Sequence, residues 1–137
     1  MPKSSKLKKP YSPVLTYALN KPWFDMIKSG VKTEEYREIK TSYINRFLEM
    51  ADLMADYRAA GAPNDRDMAI SHAISSGNWT KYLRKFTKLV LTLGYPSKTD
   101  SSRRLEFDEP SIRIGQGKPE WGAKPGVDYF IITWKYA

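Results

Sequence analysis

Sustained helical periodicity in this chain is confined to one internal stretch, with β-prone runs on both sides of it. Ile44, Phe47, Leu48, Ala51, Met54 and Ala55 follow the i, i+3, i+4, i+7 spacing of an amphipathic helix that ends near Gly61 and Pro63. Asn64, with Asp67 three residues later, resembles a capping box opening a second helix through about Ser75, and Gly77 breaks that pattern. Before this stretch, residues 14–19 read as a strand and 32–39 as a second, charge-rich one. Between them Asn20 is placed to cap a short helix, Pro22 sits in its first turn, and Gly30 ends it. After the helical stretch come β-prone runs at 86–93, 105–107, 112–114 and 129–136, with Pro110 between two of them. Residues 115–126 are rich in Gly, Pro and Lys and read as a long structured loop. Helices gathered in one place argue against a parallel βαβ sheet. They point instead to an α+β or small-barrel fold with a helical excursion.

At 137 residues the chain has the length of one domain. Residues 1–12, rich in Lys, Ser and Pro, are expected to form a flexible basic arm, and 13–137 a single domain with 41–77 as its helical elaboration. The absence of cysteine excludes disulfides, thiolate metal sites and cysteine catalysis. His72 is the one histidine, and its helical spacing reads as structural or solvated. Asp65 and Asp67 read as acids of a helix's first turn rather than as a metal pair. Gly115-Gln116-Gly117 lacks both the third glycine and the following helix of a dinucleotide fingerprint, so neither cofactor nor metal is expected. No apolar run approaches the roughly 18–20 residues of a membrane span, and the N-terminus lacks the apolar core of a signal peptide. A cytoplasmic location without membrane contact is expected.

The formal charge of +8 is unevenly spread. Lys3, Lys6, Lys8 and Lys9 lie in the first ten residues, and residues 78–104 hold seven basic residues against one acid. Residues 41–67 run the other way, with three basic residues against five acids. Within the basic interior segment Trp79, Tyr82 and Tyr95 are interleaved with the cations. Such a mixture suits single-stranded nucleic acid, because cations meet phosphates and rings stack on bases. It equally describes a solvated helix face beside a basic tail.

The densest local cluster is Lys32, Glu35 and Arg37. Period-two alternation puts Glu35 and Arg37 on one strand face, and Lys32 joins them if the first residues still belong to the turn. The three offer two donors and one acceptor, matched to a phosphate, a carbonyl or a base edge. By spacing alone they also describe a partly buried ion pair at a strand end.

Gly30, Lys32, Glu35 and Arg37 match the G-x-K-x-x-E-x-R signature of the ASCH family (activating signal cointegrator homology), one of the PUA-like β-barrels. The residues from Leu19 to Phe24, followed by Ile27 and Gly30, look like that family's first strand and helix. The tail from Ile114 to Gly122, with Tyr129-Phe130-Ile131-Ile132, is similar to small phage-type members. The resemblance covers residues 14–40 and 105–136, about half the chain, and leaves out the helices at 41–77. It implies a small PUA-like β-barrel with a short helix after the first strand and a two-helix elaboration between the second and third strands. It also implies a cleft beside the signature for RNA, single-stranded nucleic acid or a modified nucleotide, with Lys32, Glu35 and Arg37 as ligand-binding residues.

Some relatives in that family are enzymes. One branch, an acetylcytidine amidohydrolase, uses the signature Lys with a Thr three residues later, where this chain has Glu35; Thr33 lies off that pattern, so the nucleophile is missing. Another is a ribonuclease using the signature Lys with a Tyr and a Ser; Lys32, Tyr17, Tyr36 and several serines are present here. The leading expectation is thus a nucleic-acid-binding module. Trp121 would serve as a stacking platform or pack on the barrel wall, and Lys81, Arg84, Lys85 and Lys88 would contact phosphates. The alternative is a weak ribonuclease or a hydrolase of a modified nucleoside using Lys32. A third reading makes the helices at 41–77 a protein-interaction surface.

Overall fold

The structure is a computed structural model that describes residues 11–136, so Lys3, Lys6, Lys8 and Lys9 of the expected arm lie outside the described residues. The chain divides into two compact units. One is built from Ser12–Ile39 and Phe86–Ala137 and holds the sheet; the other is built from Lys40–Lys85, joined by Tyr11, and holds most of the helix. This second unit takes in residues 78–85 as well as the helical stretch expected at 41–77.

In the sheet unit, β1 (Val14–Leu19) leads into helix α1 (Lys21–Lys28), whose buried face is Phe24 and Ile27. Asn20 occupies the N-cap in extended backbone, but its side chain makes no capping hydrogen bond. Strands β2 (Glu35–Glu38), β3 (Lys88–Leu93), β4 (Arg104–Gln116) and β5 (Asp128–Tyr136) complete a five-stranded sheet in the order β1-β3-β4-β5-β2. Only the β1–β3 pair is parallel; β2–β5, β3–β4 and β4–β5 are antiparallel. The class is α+β, as the clustering of the helical pattern implies. The sheet curls into a half-barrel. Its two outer strands meet through side chains, because the Arg37 guanidinium of β2 lies 4.3 Å from the centroid of the Tyr17 ring of β1. Leu15, Leu89, Leu91, Phe130 and Ile132, all fully buried, form the core of the sheet.

Three strand expectations change. The second strand begins at Glu35 rather than 32, because the Lys32 N–H donates to the Met26 carbonyl of α1 at 3.0 Å and has no strand partner. The expected pair of short strands around Pro110 is one 13-residue strand. A register shift lies between Asp108 and Ser111, where Glu109 has φ 46°. A bulge leaves backbone groups out of the ladder, which is where a strand tolerates proline. The expected loop at 115–126 starts later, since Gly115 and Gln116 still pair with Tyr129 and Asp128.

The helical unit contains α2 (Thr41–Phe47), α3 (Met50–Ala59) and α4 (Arg66–Ser76), followed by a 3-10 turn at Asn78–Tyr82. The single helix expected from 41 to about 61 is two. At Leu48 the backbone becomes extended and bridges Leu83, while the Glu49 N–H donates to the Tyr82 carbonyl at 2.7 Å and Arg84 N–H to that of Phe47 at 2.8 Å. The elaboration is therefore three α-helices, not two. Asp65 rather than Asn64 caps α4, its carboxylate accepting from the Met68 N–H at 3.1 Å. Phe47, Leu48, Leu53 and Ala73 are buried at the centre of this unit.

Candidate functional site

The end of α1 positions the site. Gly30 adopts φ 83°, a left-handed conformation that glycine takes without strain, and its N–H closes on the Ile27 carbonyl at 3.0 Å. Two residues later the Lys32–Met26 backbone bond pins the chain against the helix end. Lys32 thus stays in the turn and reaches back towards β2. Its ammonium donates to Glu35 Oε1 at 2.9 Å, and both side chains are buried, with Lys32 only 1% exposed. Glu35 Oε1 also accepts from the Tyr36 N–H at 3.0 Å, and Glu35 Oε2 from Arg37 Nη2 at 3.4 Å. The three signature charges are therefore one contiguous network with a formal net charge of +1.

Two aromatic rings surround the ammonium. Lys32 Nζ lies 4.8 Å from the Trp23 ring centroid and 5.7 Å from that of Tyr36. Cation–π attraction of this kind strengthens as water is excluded. Neither ring was singled out as a site residue in the sequence. By sequence, Trp23 falls within the Leu19–Phe24 stretch and Tyr36 offers a possible hydroxyl for chemistry. The signal available was their position, one at the start of the short helix and one between the signature Glu and Arg.

The glycine-containing loop after β4 packs on both rings. A Cβ at Gly117 would lie 2.6 Å from Tyr36 Cζ and 2.7 Å from Ala123 Cβ, so only glycine fits there. Gly122 approaches the Trp23 ring, where a Cβ would stand 3.2 Å from Cζ2. The Tyr36 hydroxyl ties the loop down by accepting from the Lys118 N–H at 3.0 Å and donating to Glu34 Oε2 at 2.9 Å. Arg113 holds the other Glu34 oxygen at 2.7 Å. Burial raises the Glu34 pKa, but the hydrogen bonds from Arg113 and Tyr36 outweigh it and hold the carboxyl below its usual range. Burial, opposed by the Lys118 N–H and reinforced by Glu34, pushes the Tyr36 phenol up to about 12. Tyr36 therefore stays protonated at neutral pH, its hydroxyl donating to Glu34 and accepting from Lys118.

Trp121 is buried, at 9% exposure, with the Lys118 ammonium 4.2 Å from its ring centroid. Lys81, Arg84 and Lys85 belong to the helical unit and Lys88 to the sheet unit. Arg84 is engaged by Glu49 at 2.7 Å and by the Asn45 carbonyl at 3.2 Å, and Lys88 lies between Glu106 and Asp108 at 3.5 and 3.8 Å. Lys81 and Lys85 are exposed.

Among the described residues no group of three or more His, Asp or Glu is arranged to hold a metal ion, and no helix is long and apolar enough to cross a membrane. Comparisons with protein-family models, with curated proteins and with solved structures return no match.

Proposed function

We propose that this protein is a nucleic-acid-binding module of the ASCH type, taking RNA or a modified nucleotide at the Lys32–Glu35–Arg37 network. The observation that carries the reading is the buried ammonium of Lys32. It has three N–H donors, its hydrogen bond among the described residues goes to Glu35, and its flanks are the faces of Trp23 and Tyr36. A buried ammonium gains most from an oxygen that completes its donors, and a network of net charge +1 favours a phosphate or a polarised base carbonyl. Trp23 and Tyr36, already flanking the ammonium, supply the aromatic surface such a ligand stacks on. Loop residues 117–123 pack on these rings, so ligand entry involves their displacement. Exposed Lys81 and Lys85 add the long-range attraction implied by the +8 charge.

Binding fits this arrangement better than hydrolysis. Hydrolysis needs a nucleophile or base beside Lys32, and the phenol whose ring flanks it, Tyr36, is committed to Glu34 and Lys118 and held protonated. The reading is tested by fluorescence anisotropy of a labelled single-stranded RNA titrated with protein at several salt concentrations. Affinity is expected to fall steeply with salt, and Arg37→Gln to weaken binding about tenfold, the scale of one charge-assisted contact. Absence of binding at low salt, or equal binding by Arg37→Gln, overturns it.

A further inference from the structure

The helical unit carries a groove of about 370 Å³, large enough for a small organic molecule, between the C-terminal half of α3, the start of α4 and the 3-10 turn. Its wall is mainly apolar, contributed by Ala60, Pro63, Met68 and Ala69, with Tyr57 and Tyr82 as the large rings. Asp56 is the one carboxylate among the lining residues, which include no lysine or arginine. Its Oδ2 accepts from the Tyr82 hydroxyl at 2.6 Å, which fixes the carboxylate at the groove. Tyr57 hydrogen-bonds His72 Nδ1, and their rings meet edge-on with centroids 5.4 Å apart. The groove thus combines a fixed negative charge with aromatic and thioether walls inside a protein of charge +8.

We infer that this groove binds a small organic cation, an ammonium carried on an apolar or aromatic body, with Asp56 meeting the charge and Tyr57, Tyr82 and Met68 packing the body. Tyrosine faces attract a cation through the ring quadrupole, and a nearby carboxylate adds direct Coulomb attraction. The local field agrees in sign. The Tyr82 phenol is pushed up to about 12 by its hydrogen bond to Asp56, by burial, and by the charges of Asp56 and Asp52. Segment 41–67 also carries excess acid, five acids against three bases. A polyanion is repelled by such a groove, so its ligand differs in class from the one proposed for Lys32.

Calorimetric titration of the full chain with 2-phenylethylammonium, beside neutral 2-phenylethanol, tests the inference. The cation is expected to bind about tenfold more tightly than the alcohol, the ratio that a carboxylate and two rings supply at a partly open site. Asp56→Asn keeps a carbonyl to accept the Tyr82 hydrogen bond and should lower that ratio severalfold, leaving the share that the rings supply. Met68→Lys, at a lining residue 52% exposed and so free to change without disturbing the fold, should weaken the cation more than the alcohol. Equal affinity for the two compounds, a ratio unchanged in Asp56→Asn, or no binding of the cation at millimolar concentration would each overturn it. The RNA titration described above is unaffected by any of these results, so the two assignments fail independently.

Discussion

Replacing Lys32 by Met removes the ammonium while keeping a long unbranched side chain in a position 1% exposed. Glu35, 6% exposed, is then left as a buried carboxylate. Removing one member of a buried pair costs about 3–5 kcal/mol, because the surviving charge has lost its counter-ion but not its desolvation. Glu35 keeps the Tyr36 N–H at 3.0 Å and Arg37 at 3.4 Å, which places Lys32→Met near the lower end of that range, about 3 kcal/mol. Glu35→Gln combined with Lys32→Met removes both charges and retains the acceptor for Tyr36. The double variant should recover most of the loss, to within about 1 kcal/mol of the parent. Urea unfolding of the parent, both single variants and the double measures all four corners of the cycle. Additive losses, or a Lys32→Met cost below about 1 kcal/mol, would show that the network is not the coupled buried unit described above.

Three further outcomes follow from the geometry. Gly117→Ala places a methyl group 2.6 Å from the Tyr36 ring, so it should cost about 1–3 kcal/mol in the same unfolding assay. Asp65→Ala should cost about 1 kcal/mol by removing the cap of α4, whereas Asn64→Ala should cost little; equal effects would contradict the assigned cap. Tyr36 and Tyr82 both titrate near 12, so each contributes stability that is complete below the ordinary phenol value of about 10 and is lost as pH rises through about 12. Tyrosinate absorbance across an alkaline titration should therefore show a late component that shrinks in Tyr82→Phe.

Local signals in the sequence carried the sheet unit well. Val14–Leu19 is the expected strand to the residue, and Gly30 ends α1 with positive φ. The turn expected to bring Lys32 to the face of Glu35 and Arg37 does so. What escaped was set by distant partners. The break in the first long helix depends on Leu83, which meets Leu48 across the helical unit and leaves no mark on the local 3.6-residue period. The continuity of β4 past Pro110 depends on pairing with β5 and on a bulge, neither of which local composition encodes. The aromatic surroundings of Lys32 were equally hidden. Trp23 lies on α1 and the loop glycines follow β4, so their convergence is a tertiary event. Arg84 and Lys88 looked available for phosphates in the sequence because the acids that engage them, Glu49, Glu106 and Asp108, stand elsewhere in it. The helical groove was hidden too, since Asp56 and Tyr82 belong to different elements.

The most direct test of the nucleic-acid assignment uses the Lys32→Met/Glu35→Gln double variant, whose predicted stability separates loss of binding from loss of fold. Its affinity for labelled single-stranded RNA at low salt is compared with that of the parent by anisotropy. The account predicts that the double variant unfolds at nearly the parent's urea concentration and binds RNA at least about tenfold more weakly. Equal RNA affinity in a stably folded double variant would contradict it and leave the Lys32 network a purely structural ion pair.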